Sequence, residues 1–159
     1  MTGILGAVIG TATSSIQNLV PNPSFETTDL SNWFTGQLFR VNTDAHTGSW
    51  SAYATYYGEA DPNATFLYGS SIPMSTAKKY SVSFWIKNGG STAAISIFGN
   101  EYTASVTSSI WSYVKFENLT NTFSTTLSFN IYSPNTPGSA GYEFFLDDVC
   151  VNEGATVLQ

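Results

Sequence analysis

The sequence predicts an all-β protein whose antiparallel sheets pack as a sandwich or jelly roll. Several segments alternate between apolar and polar side chains with the two-residue period of a half-buried strand. Stretches such as KNGGST, SPNTPGSAG and EADPNAT lie between these segments and have the composition of turns and loops. We find no convincing apolar period of about 3.6 residues, which a helix would show. Together these observations favour two sheets without long helices.

The clearest strands are KKYSVSFWIK (78–87) and TLSFNIYS (126–133). In the first, alternation places Tyr80, Val82, Phe84 and Ile86 on one face and Ser81, Ser83 and Trp85 on the other. Further strand candidates are GQLFRVN (36–42), AAISIFGN (93–100) and WSYVKFEN (111–118), because they are rich in β-branched and aromatic residues.

The composition limits the classes of function. The chain has 159 residues, enough for one domain with its own core, and only 10% of them are charged. Low charge combined with many Ser, Thr and Asn residues is common in extracellular and virion β-proteins. The formal net charge is -6 with five Lys and Arg, so we expect neither nucleic-acid binding nor a basic membrane-surface helix.

Catalysis has little support in the sequence. Cys150 is the sole cysteine and His46 the sole histidine, so an internal disulfide is excluded and a zinc site or a nucleophilic triad is disfavoured. Asp147 and Asp148 would lie on opposite faces of a strand, so they cannot act as the two carboxylates of a glycosidase. We therefore expect a non-catalytic protein.

The first 17 residues are uncharged, contain no aromatic side chain and have three glycines among the first ten positions. They lack the basic start of a secretory signal and are too short to span a bilayer. We interpret residues 1–17 as an arm that is flexible or docks on a partner. An additional strand of the same domain is the alternative.

The segment FFLDDVCV (144–151) is apolar enough for a buried strand, yet it contains two adjacent carboxylates. A buried charge is costly unless it is paired or coordinated. Alternation predicts that Asp147 shares the inward face with Val149 and Val151, so Asp147 most needs a partner.

Five stretches in order resemble one family, the β-jelly-roll carbohydrate-binding modules of bacterial xylanases and glucanases (families 4, 9 and 22). They are NLVPNPSFE (18–26), SNW (31–33), AHTGSWSAY (45–53), KYSVSFWIK (79–87) and FFLDDVCV (144–151). The resemblance implies a jelly-roll domain over residues 18–152, followed by a tail over 153–159. It implies the fold more strongly than sugar binding, because one fold hosts many functions.

The resemblance also implies a structural calcium ion between the first and last strands of the domain. Glu26 matches the N-terminal acidic ligand, and Asp147 or Asp148 matches the C-terminal one. The HTGSWS turn would add backbone carbonyls, from Gly48 or Ser49. Calcium takes about six to eight oxygen ligands, which such a set can supply. The alternative is that backbone amides donate hydrogen bonds to Asp147 and that no metal is bound.

Aromatic side chains on polar strand faces suggest where a sugar would stack, because flat rings bind the apolar faces of sugars. If their strands lie in one sheet, the platform comprises Trp85, Tyr132, Tyr53 and Tyr57, with Asn130, Gln37 or Arg40 nearby. Cover by a loop or by a partner subunit is the alternative. We interpret Trp33, Trp50 and Trp111 as core residues.

The sequence thus favours a glycan-binding or adhesion module, in a phage or virion accessory protein such as a head decoration, fibre or tail component. The alternatives are a purely structural virion or surface-assembly protein, and a module from a secreted glycoside hydrolase. The expected partners are a polysaccharide or cell-surface glycan, and a protein or second copy reached through the arm. The expected location is the virion or the extracellular space, since this chain shows no signal peptide.

Overall fold

The computed structural model describes residues 16–31, 33–34, 38–56, 63–87, 92–97, 100–106, 109–122, 126–134 and 142–158. Within these ranges it contains ten strands and no helix long and apolar enough to cross a membrane. The strands are β1 (Trp33–Phe34), β2 (Leu38–Val41), β3 (Ser51–Tyr56), β4 (Asn63–Pro73), β5 (Lys79–Lys87), β6 (Thr92–Ile97), β7 (Asn100–Ser105), β8 (Ser112–Thr120), β9 (Thr126–Pro134) and β10 (Tyr142–Glu153).

The strands form two five-stranded sheets, and every pairing is antiparallel. Sheet I has the order β1-β4-β9-β6-β7, and sheet II has the order β2-β3-β10-β5-β8. This architecture confirms the predicted all-β sandwich of jelly-roll type. The last strand, β10, lies at the centre of sheet II, between β3 and β5.

Strand β5 shows how the sequence pattern builds the core. Its apolar face is buried as predicted: Tyr80, Val82, Phe84 and Ile86 are each at most 2% exposed. Its polar face is also covered, because Ser81 and Ser83 are 0% and 3% exposed. The Ser81 hydroxyl donates to the carbonyl oxygen of Gly154 at 3.0 Å, which places the C-terminal segment over this face. Both faces of β5 are therefore covered. The other sheet covers the apolar face, and the C-terminal segment covers the polar face around Ser81.

The start of the described chain lies alongside β10. The Leu19 amide donates to the carbonyl oxygen of Val151 at 2.7 Å, and the Asn18 side chain hydrogen-bonds to the backbone of Val149 and Val151. Phe25 is fully buried against Trp33. Of the predicted arm only Ile16 and Gln17 are described, so the prediction for residues 1–15 lies outside the described residues.

Two β-bulges flank β5, one on each neighbouring strand. On β10 the register shifts between Asp147 and Cys150, and Asp148 has a φ of 47°. On β8 the register shifts opposite Tyr80 and Val82, and Asn118 has a φ of 59°. A bulge inserts one extra residue and reverses which side chains face the core beyond it.

The bulge on β10 corrects the predicted direction of Asp147. Asp147 is the cross-strand partner of Trp85, whereas Val151 pairs with Val82 on the core side. Asp147 therefore lies on the outer face of sheet II, with Trp85, and not on the inner face with Val149 and Val151. The alternation argument failed because it counted through the extra residue.

Candidate functional site

The two adjacent acids of β10 hold the turn formed by residues 44–50 against the outer face of sheet II. Asp147 is 0% exposed. Its Oδ2 accepts hydrogen bonds from the amides of His46, at 2.8 Å, and Thr47, at 3.2 Å, and its Oδ1 accepts from the Asp148 amide at 2.8 Å. A carboxylate that accepts several amide hydrogen bonds tolerates burial. These amides explain how an acid can occupy this apolar strand.

Asp148 completes the attachment of the same turn. Its Oδ2 lies 2.7 Å from Nδ1 of His46, and its Oδ1 accepts a hydrogen bond from the Thr47 hydroxyl at 2.7 Å. Because of the bulge, both carboxylates contact one turn, so the predicted opposite orientation of the two acids is wrong. Their hydrogen bonds give both of them a structural role.

Burial raises the pKa of Asp147 to about 6, and the neighbouring charge of Asp148 acts in the same direction. The amides of Thr47, His46 and Asp148 oppose this rise, because they stabilise the ionised form. Asp147 is thus a titratable group in the mildly acidic range.

Glu26 approaches the other end of the turn. Its Oε1 accepts hydrogen bonds from the amides of Ser49, at 2.9 Å, and Trp50, at 2.8 Å. Gly48 has a φ of 63°, and a Cβ built there would collide with the same oxygen, so a larger residue would strain the turn and displace the Glu26 carboxylate.

The calcium ligands predicted from the resemblance therefore all contact this turn. Backbone amides donate hydrogen bonds to Oε1 of Glu26 and to both oxygens of Asp147. Among the described residues no group of three or more His, Cys, Asp or Glu side chains is arranged to hold a metal ion. Calcium binding stays a prediction.

A row of aromatic rings crosses the outer face of sheet II. His46 stacks on Trp85 with ring centroids 3.7 Å apart and meets the Trp111 ring edge-on at 5.8 Å. Trp111 contacts Phe145 at 6.4 Å, and Phe145 contacts Tyr53 at 5.0 Å. We call these five residues the aromatic row. Each ring of the row packs on its neighbours. The row therefore holds Trp85 in position, and its packed faces are less suited to stacking on a sugar.

Asp44 fixes one side of the aromatic row. Its Oδ2 lies 2.5 Å from Nζ of Lys87, and its Oδ1 accepts a hydrogen bond from Nε1 of Trp111 at 3.0 Å. Trp33 is buried at 3%, which confirms its predicted core position. The same prediction is wrong for Trp50 and Trp111, which are both partly exposed. Trp50 instead carries the Arg40 guanidinium over its ring, 3.5 Å from the centroid.

Beyond Trp85 the surface of sheet II forms a groove of about 410 Å³. Its lining residues come from three strands and the C-terminal segment: Ser83, Trp85, Tyr113, Lys115, Asp148, Cys150, Val157 and Leu158. Trp85 and Tyr113 are cross-strand partners with ring centroids 5.2 Å apart, and Tyr113 is 43% exposed. The groove thus combines an accessible aromatic wall with polar groups.

Ser83 lines this groove and is 3% exposed. A serine hydroxyl can both donate and accept a hydrogen bond, so Ser83 adds a polar group to the groove. Burial raises the pKa of the nearby Cys150 thiol, so this cysteine stays in its neutral form.

The structure separates the residues that the sequence assigned to one platform. Trp85 and Tyr53 lie on sheet II, whereas Tyr132 and Asn130 lie on β9 of sheet I. The assumption that these strands share a sheet is therefore wrong. Arg40 turns away from the Trp85 face and donates to the backbone oxygens of Phe25 and Glu26. Tyr57 and Gln37 lie outside the described residues.

Sequence reasoning missed Tyr113, Ser83 and Lys115 as groove residues. Tyr113 and Lys115 alternate with Val114 and Phe116 on β8, which is a signal for an exposed face of the sheet. That signal was available in the sequence. The sequence contains no signal that Val157 and Leu158 line the groove, because no pattern predicts where a short C-terminal segment packs.

Comparison with known proteins places these features in a family. A family model described as "Carbohydrate binding domain" matches residues 17–139, most of the chain. No curated protein matches the chain. The resemblance noted from the sequence is thereby confirmed.

Solved structures share the fold at low sequence identity. A family 61 carbohydrate-binding module in complex with β-1,4-galactotriose has a TM-score of 0.58 and 21% identity, over 87% of this chain and 99% of that one. The CBM22-1–GH10 modules of a Clostridium thermocellum xylanase, complexed with xylohexaose, have a TM-score of 0.60 and 15% sequence identity. The match covers 86% of this chain and 29% of that one. A tailspike protein of bacteriophage CBA120 has a TM-score of 0.56 and 18% sequence identity. The match covers 86% of this chain and 21% of the tailspike chain.

Proposed function

Since the chain belongs to the family of carbohydrate-binding domains, we propose that it is a non-catalytic module that binds glycans through the groove on sheet II. The observation that supports this most is the groove itself, in which the cross-strand aromatic pair Trp85 and Tyr113 lies beside the polar side chains of Ser83, Lys115 and Asp148. Sugars present one apolar face and a rim of hydroxyls, so they need both kinds of contact.

The groove offers a distinct contact for each part of a sugar ring. His46 stacks on the Trp85 indole at 3.7 Å, and Trp85 and Tyr113 both line the groove. An apolar sugar face would stack there and against Tyr113. Ser83 at the base, with Lys115 and Asp148 at the sides, would hydrogen-bond to the sugar hydroxyls.

The adjacent carboxylates Asp147 and Asp148 do not form a glycosidase pair. Asp147 and Asp148 are both occupied by the turn at 44–50, and the groove contains Asp148 as its single carboxylate. The chemistry of both glycosidase mechanisms needs a second carboxyl group across the scissile bond. Binding without bond cleavage is therefore the activity that we propose.

Isothermal titration calorimetry against soluble xylan, galactan and mixed-linkage glucan tests the proposal, because two of these relate to sugars bound by structural neighbours. The variant Tyr113→Ala should weaken binding by about 1–3 kcal/mol, the usual value of an aromatic stacking contact. Phe39→Ala is the matched control, since Phe39 is 52% exposed on the same sheet but does not line the groove.

Each result has one meaning. Binding by the wild type that Tyr113→Ala weakens and Phe39→Ala leaves unchanged supports the groove. Equal loss or no loss in both variants would place the glycan elsewhere on the domain. No binding to any glycan in a broad array would contradict glycan recognition itself and leave the purely structural alternative.

A phage or virion accessory protein is the setting that we propose for this module. The tailspike protein of bacteriophage CBA120 contains the same fold within a longer chain, which supports this setting. The xylanase neighbour supports the alternative, a module attached to a secreted hydrolase. In the first setting the protein acts as an adhesion module on the virion, and in the second it acts outside the cell.

The segment before Asn18 distinguishes these settings. In the virion setting we expect deletion of residues 2–16 to leave a cooperatively folding domain with unchanged glycan affinity but without assembly into oligomers or particles. Thermal unfolding and light scattering of both forms measure this. A truncated chain that fails to fold would identify the arm as a strand of the domain, and unchanged assembly would contradict its docking role.

A further inference from the structure

The groove on sheet II has a floor with polar side chains between an aromatic wall and an aliphatic wall, and this bears on which sugars it selects. Building on the proposed function, we propose that the groove prefers neutral sugars with a methyl-bearing substituent, either a deoxy carbon or an O-acetyl group. An unsubstituted sugar presents mainly hydroxyls at its rim, whereas these sugars add an apolar group there. The aliphatic wall is the part of the groove that would recognise this group.

The register of sheet II fixes the order of these parts. Cys150 on β10, Ser83 on β5 and Lys115 on β8 are cross-strand partners and form the floor. Trp85 and Tyr113 lie two residues away on β5 and β8 and are also cross-strand partners. They form the aromatic wall, which therefore lies on one side of the floor.

The C-terminal segment lies on the other side of the floor. Two residues from Ser83, in the direction away from the aromatic wall, the Ser81 hydroxyl donates to the carbonyl oxygen of Gly154 at 3.0 Å. Asn152 is the cross-strand partner of Ser81, and its Oδ1 accepts a hydrogen bond from the Leu158 amide at 3.2 Å. The segment is thus attached to β5 and β10 beyond the floor, and the floor separates it from the aromatic wall.

Val157 and Leu158 make this second wall aliphatic. Both line the groove and are partly exposed, and their backbone amides already donate to Glu117 and Asn152. A sugar hydroxyl held against their side chains loses water without gaining a hydrogen bond. A methyl group in the same place gains free energy, because its apolar surface leaves water.

The charged side chains of the groove favour a neutral substituent. Nζ of Lys115 lies 3.1 Å from Oε2 of Glu117, and the Asp148 carboxylate contacts His46 Nδ1 and the Thr47 hydroxyl. Each charge thus has a partner within the protein. A uronate or a phosphate on the sugar would have to compete with these partners.

Glycan pairs that differ only in the methyl-bearing group test this inference. Methyl α-L-fucoside and methyl α-L-galactoside differ by one oxygen on the exocyclic carbon, and acetylated xylan can be compared with the same preparation after mild alkaline deacetylation. In calorimetry the methyl-bearing member of a pair should bind about fourfold more tightly, the value of one buried methyl-sized group. Preference in the first pair indicates a deoxy sugar, and preference in the second indicates an O-acetyl group. A glycan array with further such pairs covers other sugars.

Two variants locate the preference in the aliphatic wall. Leu158→Asn and Val157→Thr nearly keep the size of each side chain but make it polar. Each should reduce the fourfold preference while the affinity for the unsubstituted member changes little. Ile110→Asn is the control, because Ile110 is 58% exposed and does not line the groove.

Tyr113→Ala tests the aromatic wall separately. It should weaken binding of both members of a pair alike, because the ring would contact the sugar face that they share. Melting temperatures of all variants show whether each one is folded.

The outcomes separate this inference from the proposed function. Equal affinity within every bound pair, or tighter binding of the unsubstituted member, would overturn the preference while glycan binding itself stands. A preference that persists in both Leu158→Asn and Val157→Thr would overturn the role of the aliphatic wall. The absence of any ligand on an array with both kinds of sugar would overturn the proposed function as well.

Discussion

The two β-bulges beside β5 each place one residue at positive φ but hold different segments by different chemistry. The bulge on β10, with Asp148 at a φ of 47°, fixes the turn at 44–50 through two carboxylates, one of them fully buried. The bulge on β8, with Asn118 at a φ of 59°, holds the C-terminal segment through its backbone amide and the carboxylate of Glu117. Each bulge attaches one wall of the groove.

The difference lies in the cost of losing each attachment. Asp147 accepts two amides of the turn in a buried place, so its removal leaves donors without partners in a medium of low polarity. Glu117 holds the C-terminal segment near solvent, where water can replace a lost hydrogen bond. We therefore expect the turn to be a stable part of the domain and the C-terminal segment to be the wall that can be altered without unfolding it.

Asp147→Ala should have the largest effect. It removes the acceptor of the His46 and Thr47 amides, and each buried donor left unpaired costs about 1–3 kcal/mol. We expect the free energy of unfolding to fall by about 3 kcal/mol in a denaturant titration. Asp147→Asn, which keeps one acceptor oxygen, should lose less. Equal losses in the two variants would show that the amides of the turn are not what Asp147 stabilises.

The pH dependence of stability should follow from the same carboxyl group. Its pKa rises from an ordinary value near 3.8 to about 6 in the folded protein, because burial disfavours the charge. The folded state then holds a proton that the unfolded state releases, so this group stabilises the fold below about pH 4. Its contribution, about 3 kcal/mol, is lost as the pH rises to about 6.

Comparing the wild type with Asp147→Asn isolates the pH-dependent contribution of the Asp147 carboxyl group to stability. Melting temperatures measured from pH 4 to 7 in EDTA should fall more steeply with rising pH in the wild type than in the variant. Parallel curves would contradict the raised pKa of Asp147. EDTA keeps any metal bound near Glu26 and Asp147 out of the measurement.

Calcium removal is the next test, with a somewhat smaller expected effect on the stability of the fold. If Glu26 and Asp147 or Asp148 share an ion, a calcium concentration one hundredfold above Kd stabilises the fold by about 2.7 kcal/mol. The melting temperature should then drop by several degrees when EDTA is added. An unchanged melting temperature, with a metal-free native mass spectrum, would leave the amides of the turn as the sole partners of these acids.

Alanine at each bulge position compares the two attachments directly. Both Asn118→Ala and Asp148→Ala force alanine into the left-handed region, at a cost of about 1 kcal/mol. Asp148→Ala also removes the contacts to His46 and Thr47, so we expect it to destabilise the protein more. Equal losses in thermal unfolding would mean that backbone strain alone accounts for both bulges.

The sequence predicted the architecture because strand periodicity is local. The alternation of Tyr80, Val82, Phe84 and Ile86 is visible in the chain, and their burial follows it. Trp85 was predicted on the outer face, and it lies there beside the groove. The turn at 46–49 and Glu26 were associated through the resemblance, and Glu26 indeed hydrogen-bonds to the turn.

The prediction of one aromatic platform failed for a nonlocal reason. Each strand's alternation separates its two faces but does not indicate which sheet the strand joins. Tyr132 on β9 therefore shared a predicted face with Trp85 without sharing a sheet. The inward direction of Asp147 failed because a single extra residue, Asp148 in the left-handed region, reverses the alternation.

The sequence by itself thus determined the strand class, the core face of β5 and the low charge of the molecule, since these depend on neighbours along the chain. Only the tertiary structure decided what covers the outer face of sheet II. The turn at 44–50 reaches that face through hydrogen bonds to Asp147 and Asp148, which lie 100 and 101 residues from Thr47. The segment 154–158 reaches it through hydrogen bonds to Glu117 and Asn152. Such contacts depend on how the sheets close, and no local pattern in the chain records them.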